Sequence, residues 1–122
     1  MKRIAVVDDE PDIMIILKKT LEHHDFAVDT FNDPQAALAT FKPSYYALVI
    51  IDIRMPRMNG FDLYRELKKR DSGVRVCFLT EFEIHYEEFR KLFPTIDVTA
   101  FIRKPVSISN LFNQINAIIA SK

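Results

Sequence analysis

The feature that most constrains this chain is an apolar run, ALVII at residues 47–51, that ends in a single carboxylate, Asp52. Such a run, bounded by turn signals, predicts a strand that is buried on both faces, as in a parallel sheet. The following segment is predicted to be a loop, because Pro56 disfavours the helical conformation at Met55. Gly60 gives conformational freedom where a new helical pattern begins. We therefore interpret Asp52 as the residue around which the chain is organised.

Apolar segments alternate with helical patterns along the whole chain, which predicts five strand–helix units. The predicted strands cover residues 4–7, 26–31, 47–51, 74–79 and 98–102. Strict alternation indicates a parallel sheet with helices on both faces. The first, third and fourth strands are the most apolar, and the order 2-1-3-4-5 places them in the centre. The predicted fold is therefore an α/β, flavodoxin-like (βα)5 three-layer sandwich that forms a single domain over residues 1–122.

The predicted helices carry apolar stripes at helical spacing. The first and third begin at Pro11 and Gly60, and the second begins at the Asp33-Pro34 pair, a typical helix cap and first turn. The stripes are Ile13, Ile16, Leu17 and Leu21 in the first helix; Leu63, Tyr64 and Leu67 in the third; Phe82, Tyr86, Phe89 and Phe93 in the fourth; and Ile108, Leu111, Phe112, Ile115 and Ile119 in the fifth.

Composition excludes several classes of protein. The 17 basic residues balance the 17 acidic ones, so no long-range attraction to nucleic acid or to an anionic membrane is expected. The only cysteine, Cys77, excludes an intrachain disulfide and suits a reducing compartment. No apolar run reaches the roughly 18 residues of a membrane span, and we expect a cytoplasmic protein.

Polar side chains follow four of the predicted strands, and in a parallel sheet those strand ends share one edge. They are Asp8 and Asp9 after the first strand, Asp52 after the third, Thr80 after the fourth and Lys104 after the fifth. Clustered carboxylates require a cation, and oxygen ligands with room for water suit Mg²⁺. One carboxylate can then serve as a nucleophile towards a phosphoryl group. A hydroxyl and an ammonium can bind the phosphoryl oxygens.

Four motifs, in this order and at this spacing, resemble the receiver domain of the two-component response regulator family over essentially the whole chain. They are VVDDEP at residues 6–11, DIRMPRMNG at 52–60, LT at 79–80 and RKP at 103–105. The resemblance implies that Asp52 accepts a phosphoryl group from a histidine kinase or a phosphotransfer protein. It also implies that Thr80 and Lys104 bind that group.

The resemblance further implies a Mg²⁺ site and a switch. Asp9 and Asp52 would bind the ion directly, Asp8 mainly through water, and Arg54 through its backbone carbonyl. On phosphorylation, Thr80 would move and Phe101 would fill the space that it leaves. The face formed by the fourth helix, fifth strand and fifth helix would then change and control a partner protein, an output domain or a homodimer.

Other interpretations stay open at this point. The acids at residues 8–10 can simply favour the start of the first helix. A pseudo-receiver, which is a constitutive interaction module, is an alternative if Glu81 and Phe82 obstruct the phosphoryl position. A metal-dependent phosphatase is disfavoured, because Arg54 stands where its general acid would be, and we do not expect an enzyme.

Overall fold

A computed structural model describes residues 2–80, 91, 101–103 and 108–120. Its elements in chain order are β1 (Arg3–Val7), α1 (Pro11–His23), β2 (Ala27–Phe31), α2 (Pro34–Thr40), β3 (Leu48–Asp52), α3 (Gly60–Arg70), β4 (Val76–Thr80), β5 (Phe101–Arg103) and a C-terminal helix (Ile108–Ala120). The strands form one parallel sheet in the order β2-β1-β3-β4-β5, which confirms the predicted fold class. Residues 82–93, the predicted fourth helix, lie outside the described residues apart from Lys91.

The central strand is β3, and all five of its residues are buried. It pairs with β1 on one side and β4 on the other, so that Ile50 lies beside Val6 and Cys77. Burial on both faces explains why its sequence is a continuous apolar run instead of an alternating one. Burial also raises the pKa of the Cys77 thiol to about 12, so this thiol stays protonated at neutral pH.

Helices cover both faces of the sheet, which gives the three predicted layers. The first face packs against α2 and α3, through a cluster that includes Leu38, Leu63 and Leu67; the second packs against α1 and the C-terminal helix, through Leu17, Leu21, Leu111 and Ile115. Among the stripe residues that the structure describes, Ile16 is misplaced. Ile16 is 49% exposed, because it precedes the buried Leu17 by one residue and therefore lies about 100° around the helix.

Two arginine side chains donate hydrogen bonds to carbonyl groups at the C-terminal ends of α2 and of the C-terminal helix. Arg70 donates from Nη1 to the carbonyl of Leu38 in α2 at 2.6 Å. Arg75, just before β4, donates from Nη1 to the carbonyls of Ile118 and Ile119 in the C-terminal helix, at 3.2 and 2.6 Å. The last carbonyls of a helix have no partner within it, and a cation there also complements the helix dipole.

The edge strand β2 carries a charged network. Arg3 Nη1 and the carboxylate of Asp29 form an ion pair at 2.8 Å, and the Tyr46 hydroxyl donates to Asp29 Oδ2 at 2.8 Å. Burial, together with the hydrogen bond to this carboxylate, raises the pKa of the Tyr46 phenol. The network therefore ties β2 to β1 and to the segment that leads into β3.

All five strands differ from the sequence prediction by one or two residues at an end. β1 begins at Arg3 and β2 begins at Ala27. β3 covers Leu48–Asp52 instead of 47–51, β4 covers Val76–Thr80 instead of 74–79, and β5 ends at Arg103, while residues 98–100 lie outside the described residues. Among the helices that are described, none combines the length and the apolar character needed to cross a bilayer.

Candidate functional site

The predicted metal-binding and phosphoryl-binding residues that are described lie at the carboxyl edge of the sheet. Asp8 follows β1 directly, Asp52 is the last residue of β3, and Thr80 is the last residue of β4. Asp52 and Thr80 thus end their strands instead of following them. Leu79, the residue before Thr80, is paired with Asp52 in the sheet register. The side chain of Thr80 and the whole of Lys104 lie outside the described residues, so their predicted contacts stay predictions.

Four carboxylates meet at this edge. One oxygen from each of Asp8, Asp9, Glu10 and Asp52 lies within 4.8 Å of the other three. Asp8 is fully buried and Asp52 is 5% exposed, whereas Asp9 and Glu10 are exposed. The sequence prediction had left Glu10 out of the metal set, because its position next to Asp8 and Asp9 does not show in which direction its carboxylate turns.

Backbone hydrogen bonds orient the two buried carboxylates. Asp8 Oδ1 accepts from the backbone N–H of Glu10 at 2.9 Å, and Asp52 Oδ1 accepts from that of Arg54 at 3.3 Å. In both cases the donor lies two residues further along, which is the geometry of an Asx turn. Glu10 occupies the cap position of α1 without a side-chain capping bond. Its carboxylate is therefore not used to cap the helix.

The donor set fits a hard divalent cation. All four side chains offer carboxylate oxygen, the ligand type that Mg²⁺ and Ca²⁺ prefer. The two exposed members leave the cluster accessible from solvent, so water can complete the coordination of an ion. Carboxylates this close repel one another when they are ionised, and a bound divalent cation offsets part of that repulsion.

Glycine is required at position 60, where the loop after β3 ends and α3 begins, because the backbone there lies against the end of β3. A Cβ at this position would lie 2.6 Å from the Asp52 carbonyl oxygen, 2.9 Å from Ile53 Cα and 3.0 Å from Ile51 Cγ2. The backbone N–H of Gly60 donates to the Ile53 carbonyl at 2.8 Å and closes the loop. The predicted reason, conformational freedom, is wrong: no glycine in the described part of the chain has a positive φ, and what Gly60 provides is close approach.

The loop between Asp52 and Gly60 forms one wall of a cleft beside the carboxylates. The cleft has a volume of about 600 Å³ and is lined by Asp9, Ile53, Arg54, Met55, Pro56, Asn59 and Phe61. Arg57, in the same loop, has a left-handed backbone with φ of 72°. Asn59 ends the loop as the cap of α3, and its Oδ1 accepts from the N–H of Asp62 at 2.9 Å. The cleft makes Asp9, one member of the acidic cluster, accessible from solvent.

Phe101, the predicted switch residue, is the first residue of β5 and is partly buried. Its ring stacks on that of Phe78 in β4, with centroids 5.5 Å apart and an interplanar angle of 26°. Phe101 therefore packs against the same core cluster that lies beneath the cleft. The role of Phe101 in switching stays a prediction.

Mg²⁺ is expected to stabilise the folded chain against heat, because it binds a preformed cluster that the unfolded chain lacks. At 100 times its dissociation constant, the ion should add about 2.7 kcal/mol to the free energy of unfolding. Thermal melts with and without Mg²⁺ measure this effect.

The variants Asp9→Asn and Asp12→Asn test whether the effect comes from the cluster. Asp9→Asn should remove most of the Mg²⁺-dependent shift in melting temperature. Asp12 is an exposed acid in the first turn of α1 that does not belong to the cluster, and Asp12→Asn should keep the shift. Equal shifts in all three proteins would show that the ion binds elsewhere.

Comparison with known proteins adds a family match. Residues 4–116 match the response regulator receiver domain family. The response regulator ArlR from Staphylococcus aureus is 30% identical over 119 residues, which cover 98% of this chain and 53% of that protein. The chain therefore spans about half the length of the curated relatives that it matches.

Solved structures agree with the fold. The non-phosphorylated receiver domain of HemR from Leptospira biflexa superposes with a TM-score of 0.89 at 26% identity, covering 100% of this chain and 97% of that one. The response regulator TrrA from Thermotoga maritima, solved in complex with Mg²⁺ and BeF, superposes with a TM-score of 0.76 at 29% identity, covering 97% and 99%.

Proposed function

This chain belongs to the response regulator receiver family, the signalling domains of two-component systems, and from that premise we propose that Asp52 is its phosphoacceptor. The observation that carries the proposal is the position of the Asp52 carboxylate. It is buried at the carboxyl edge of the sheet and lies within 4.8 Å of the Asp8, Asp9 and Glu10 carboxylates. Asp9, its neighbour in the cluster, lines the cleft through which a donor would approach.

In the proposed reaction, a carboxylate oxygen of Asp52 attacks the phosphorus of a phosphohistidine on a kinase or phosphotransfer protein. A new O–P bond forms as the N–P bond breaks, and the leaving imidazole nitrogen keeps the electron pair and takes a proton. The product is an aspartyl phosphate. Asp8, Asp9, Asp52 and the backbone carbonyl of Arg54 would hold Mg²⁺, which when bound neutralises charge on the phosphoryl oxygens.

The remaining residues of the proposed site act after Asp52 has been phosphorylated. Thr80 and Lys104 are proposed to bind the phosphoryl oxygens, and Phe101 to respond to the movement of Thr80. The phosphoryl group adds a charge of about −1.5 to −2. This charge would change the conformation of the face formed by residues 82–93, β5 and the C-terminal helix. That face would contact a downstream protein, an output domain or a second copy of the chain.

We further propose that residues 1–122 form one receiver domain that works in the cytoplasm, which the single thiol of Cys77 suits.

Amide NMR spectra with Mg²⁺, before and after addition of beryllofluoride, test this proposal, because beryllofluoride mimics an aspartyl phosphate. We expect Mg²⁺ to shift the amide signals of residues 8–10 and 52–54. Beryllofluoride should add shifts at Thr80 and Phe101 that extend into the C-terminal helix.

The alternatives predict different spectra. A response to Mg²⁺ without a response to beryllofluoride would mean that the phosphoryl position is blocked, as in a pseudo-receiver. No response to either would exclude the proposed chemistry altogether.

A further inference from the structure

Three phenylalanine rings connect the cleft beside Asp52 with the predicted switch position. Phe61 lines the cleft, and its ring meets that of Phe78 edge-on, with centroids 5.1 Å apart and an interplanar angle of 65°. Phe78 in turn stacks on Phe101 at 5.5 Å. We call Phe61, Phe78 and Phe101 the aromatic row. Both distances lie in the range in which aromatic pairs interact beyond simple burial.

The packing around the aromatic row favours transmission of movement from one end to the other. Its central ring, Phe78, is fully buried within a close-packed core, so a displaced neighbour meets resistance there instead of empty space. Phe61 and Phe101 are only partly buried, which leaves the two outer rings room to change position. The row thus has a closely packed middle ring, which passes a displacement of one neighbour on to the other, and two outer rings that can change position.

The first end of the row follows the Asp52 loop closely. Phe61 is the second residue of α3 and follows Gly60, whose backbone lies against the Asp52 carbonyl too closely for a Cβ. The loop between them supplies Arg54, whose carbonyl is a proposed metal ligand. A movement of this loop when the site is occupied should therefore also displace the first turn of α3.

We propose that Phe61 is a positioning residue that couples occupancy of the Asp52 site to the conformation of Phe101 through Phe78. The inference rests on the proposed function and adds a second route beside the movement of Thr80. It assigns a role to Phe61, which the resemblance left without one. Its consequence is that the conformation of the Phe101 ring depends partly on the conformation of the loop between Asp52 and Gly60.

The natural control is Tyr64, one turn further along α3. Its ring also meets Phe78 edge-on, with centroids 5.9 Å apart, but Tyr64 does not line the cleft. Replacing either Phe61 or Tyr64 by leucine removes one ring contact on Phe78. The change at Phe61 also removes a ring that lines the cleft beside the Asp52 loop, whereas the change at Tyr64 does not.

The experiment uses the 122-residue chain with 4-fluorophenylalanine at position 101 and records ¹⁹F spectra with Mg²⁺, before and after beryllofluoride. Phe61→Leu should change the population ratio of the two environments of the 101 ring in the beryllofluoride state by about 2- to 30-fold. Tyr64→Leu should leave that ratio within about twofold of the unmodified chain, a change below the usual range of coupling energies. Thermal melts check folding, and Phe61→Met replaces Phe61→Leu if the latter unfolds.

The Asp52 amide signal, recorded in the same samples, separates failure of this inference from failure of the proposed function. If Asp52 responds to beryllofluoride and Phe61→Leu leaves the 101 ring unchanged, the coupling is refuted while the phosphoacceptor assignment stands. An equal effect of Tyr64→Leu refutes it as well, because general loosening of the core would then explain both variants. If Asp52 itself does not respond, the proposed function fails and this inference fails with it.

Discussion

Replacing Asp52 by asparagine is expected to abolish phosphoryl transfer to this chain. The amide keeps the size of the side chain and can still accept from the Arg54 N–H, which donates to Asp52 Oδ1 at 3.3 Å. It cannot act as the nucleophile, so incorporation of labelled phosphate should fall by at least about 100-fold. Transfer from a phosphorylated kinase or phosphotransfer protein, followed by intact-mass analysis, measures the effect.

Asp62 provides the matched control for this prediction. It is a half-exposed acid in the first turn of α3, close to the same edge of the sheet, but it does not belong to the four-carboxylate cluster. Asp62→Asn should accept phosphate at nearly the original rate. If Asp52→Asn were phosphorylated at the original rate and at the same position, the assignment of the phosphoacceptor would be wrong.

Replacing Gly60 by alanine is expected to destabilise the fold and disturb the site together. The added methyl group would lie 2.6 Å from the Asp52 carbonyl oxygen and 2.9 Å from Ile53 Cα, and both are backbone atoms that cannot rotate away. Overpacking of this kind costs about 1–3 kcal/mol, occasionally more. Denaturant unfolding measures the loss, and amide shifts at Asp52 and Ile53 should report the displacement.

Gly73 is the control for this substitution, because it is the only other glycine in the chain. Among the described residues, a Cβ on Gly73 would meet only Asp71 Oδ1, at an ordinary contact distance of 3.6 Å. Gly73→Ala should therefore be neutral, or stabilising by up to about 1 kcal/mol through the unfolded state. If both variants lost equal stability, the close approach at Gly60 would not be the cause.

The sequence predicted the central part of this fold because burial of β3 on both faces requires apolar residues at consecutive positions. Its uninterrupted apolar run has no other place in an α/β sheet of this size. The stripe of α1 was less informative, since Ile13, Ile16 and Leu17 are equally apolar but only the packing of the helix decides which of them faces the sheet. Ile16 was assigned to that stripe and is half exposed.

The candidate site was predictable where strand ends determine it. Asp8 and Asp52 had to meet once β1 and β3 were recognised as parallel neighbours. Two features needed coordinates. Glu10 joins the cluster because the turn after Asp8 brings its carboxylate back, and Gly60 is required by an approach of 2.6 Å to a carbonyl oxygen. Neither a turn's direction nor a backbone contact leaves a distinctive residue pattern.

The network around Asp29 has a consequence for how the folded protein behaves at high concentration. An edge strand offers unpaired backbone groups to which another molecule's strand can add, the first step towards fibrils. The edge strand β2 has only five residues and places the Asp29 carboxylate among them, held by Arg3 and Tyr46. A strand from a second molecule would have to pair along this ion pair and desolvate it, which makes β2 a poor template for aggregation.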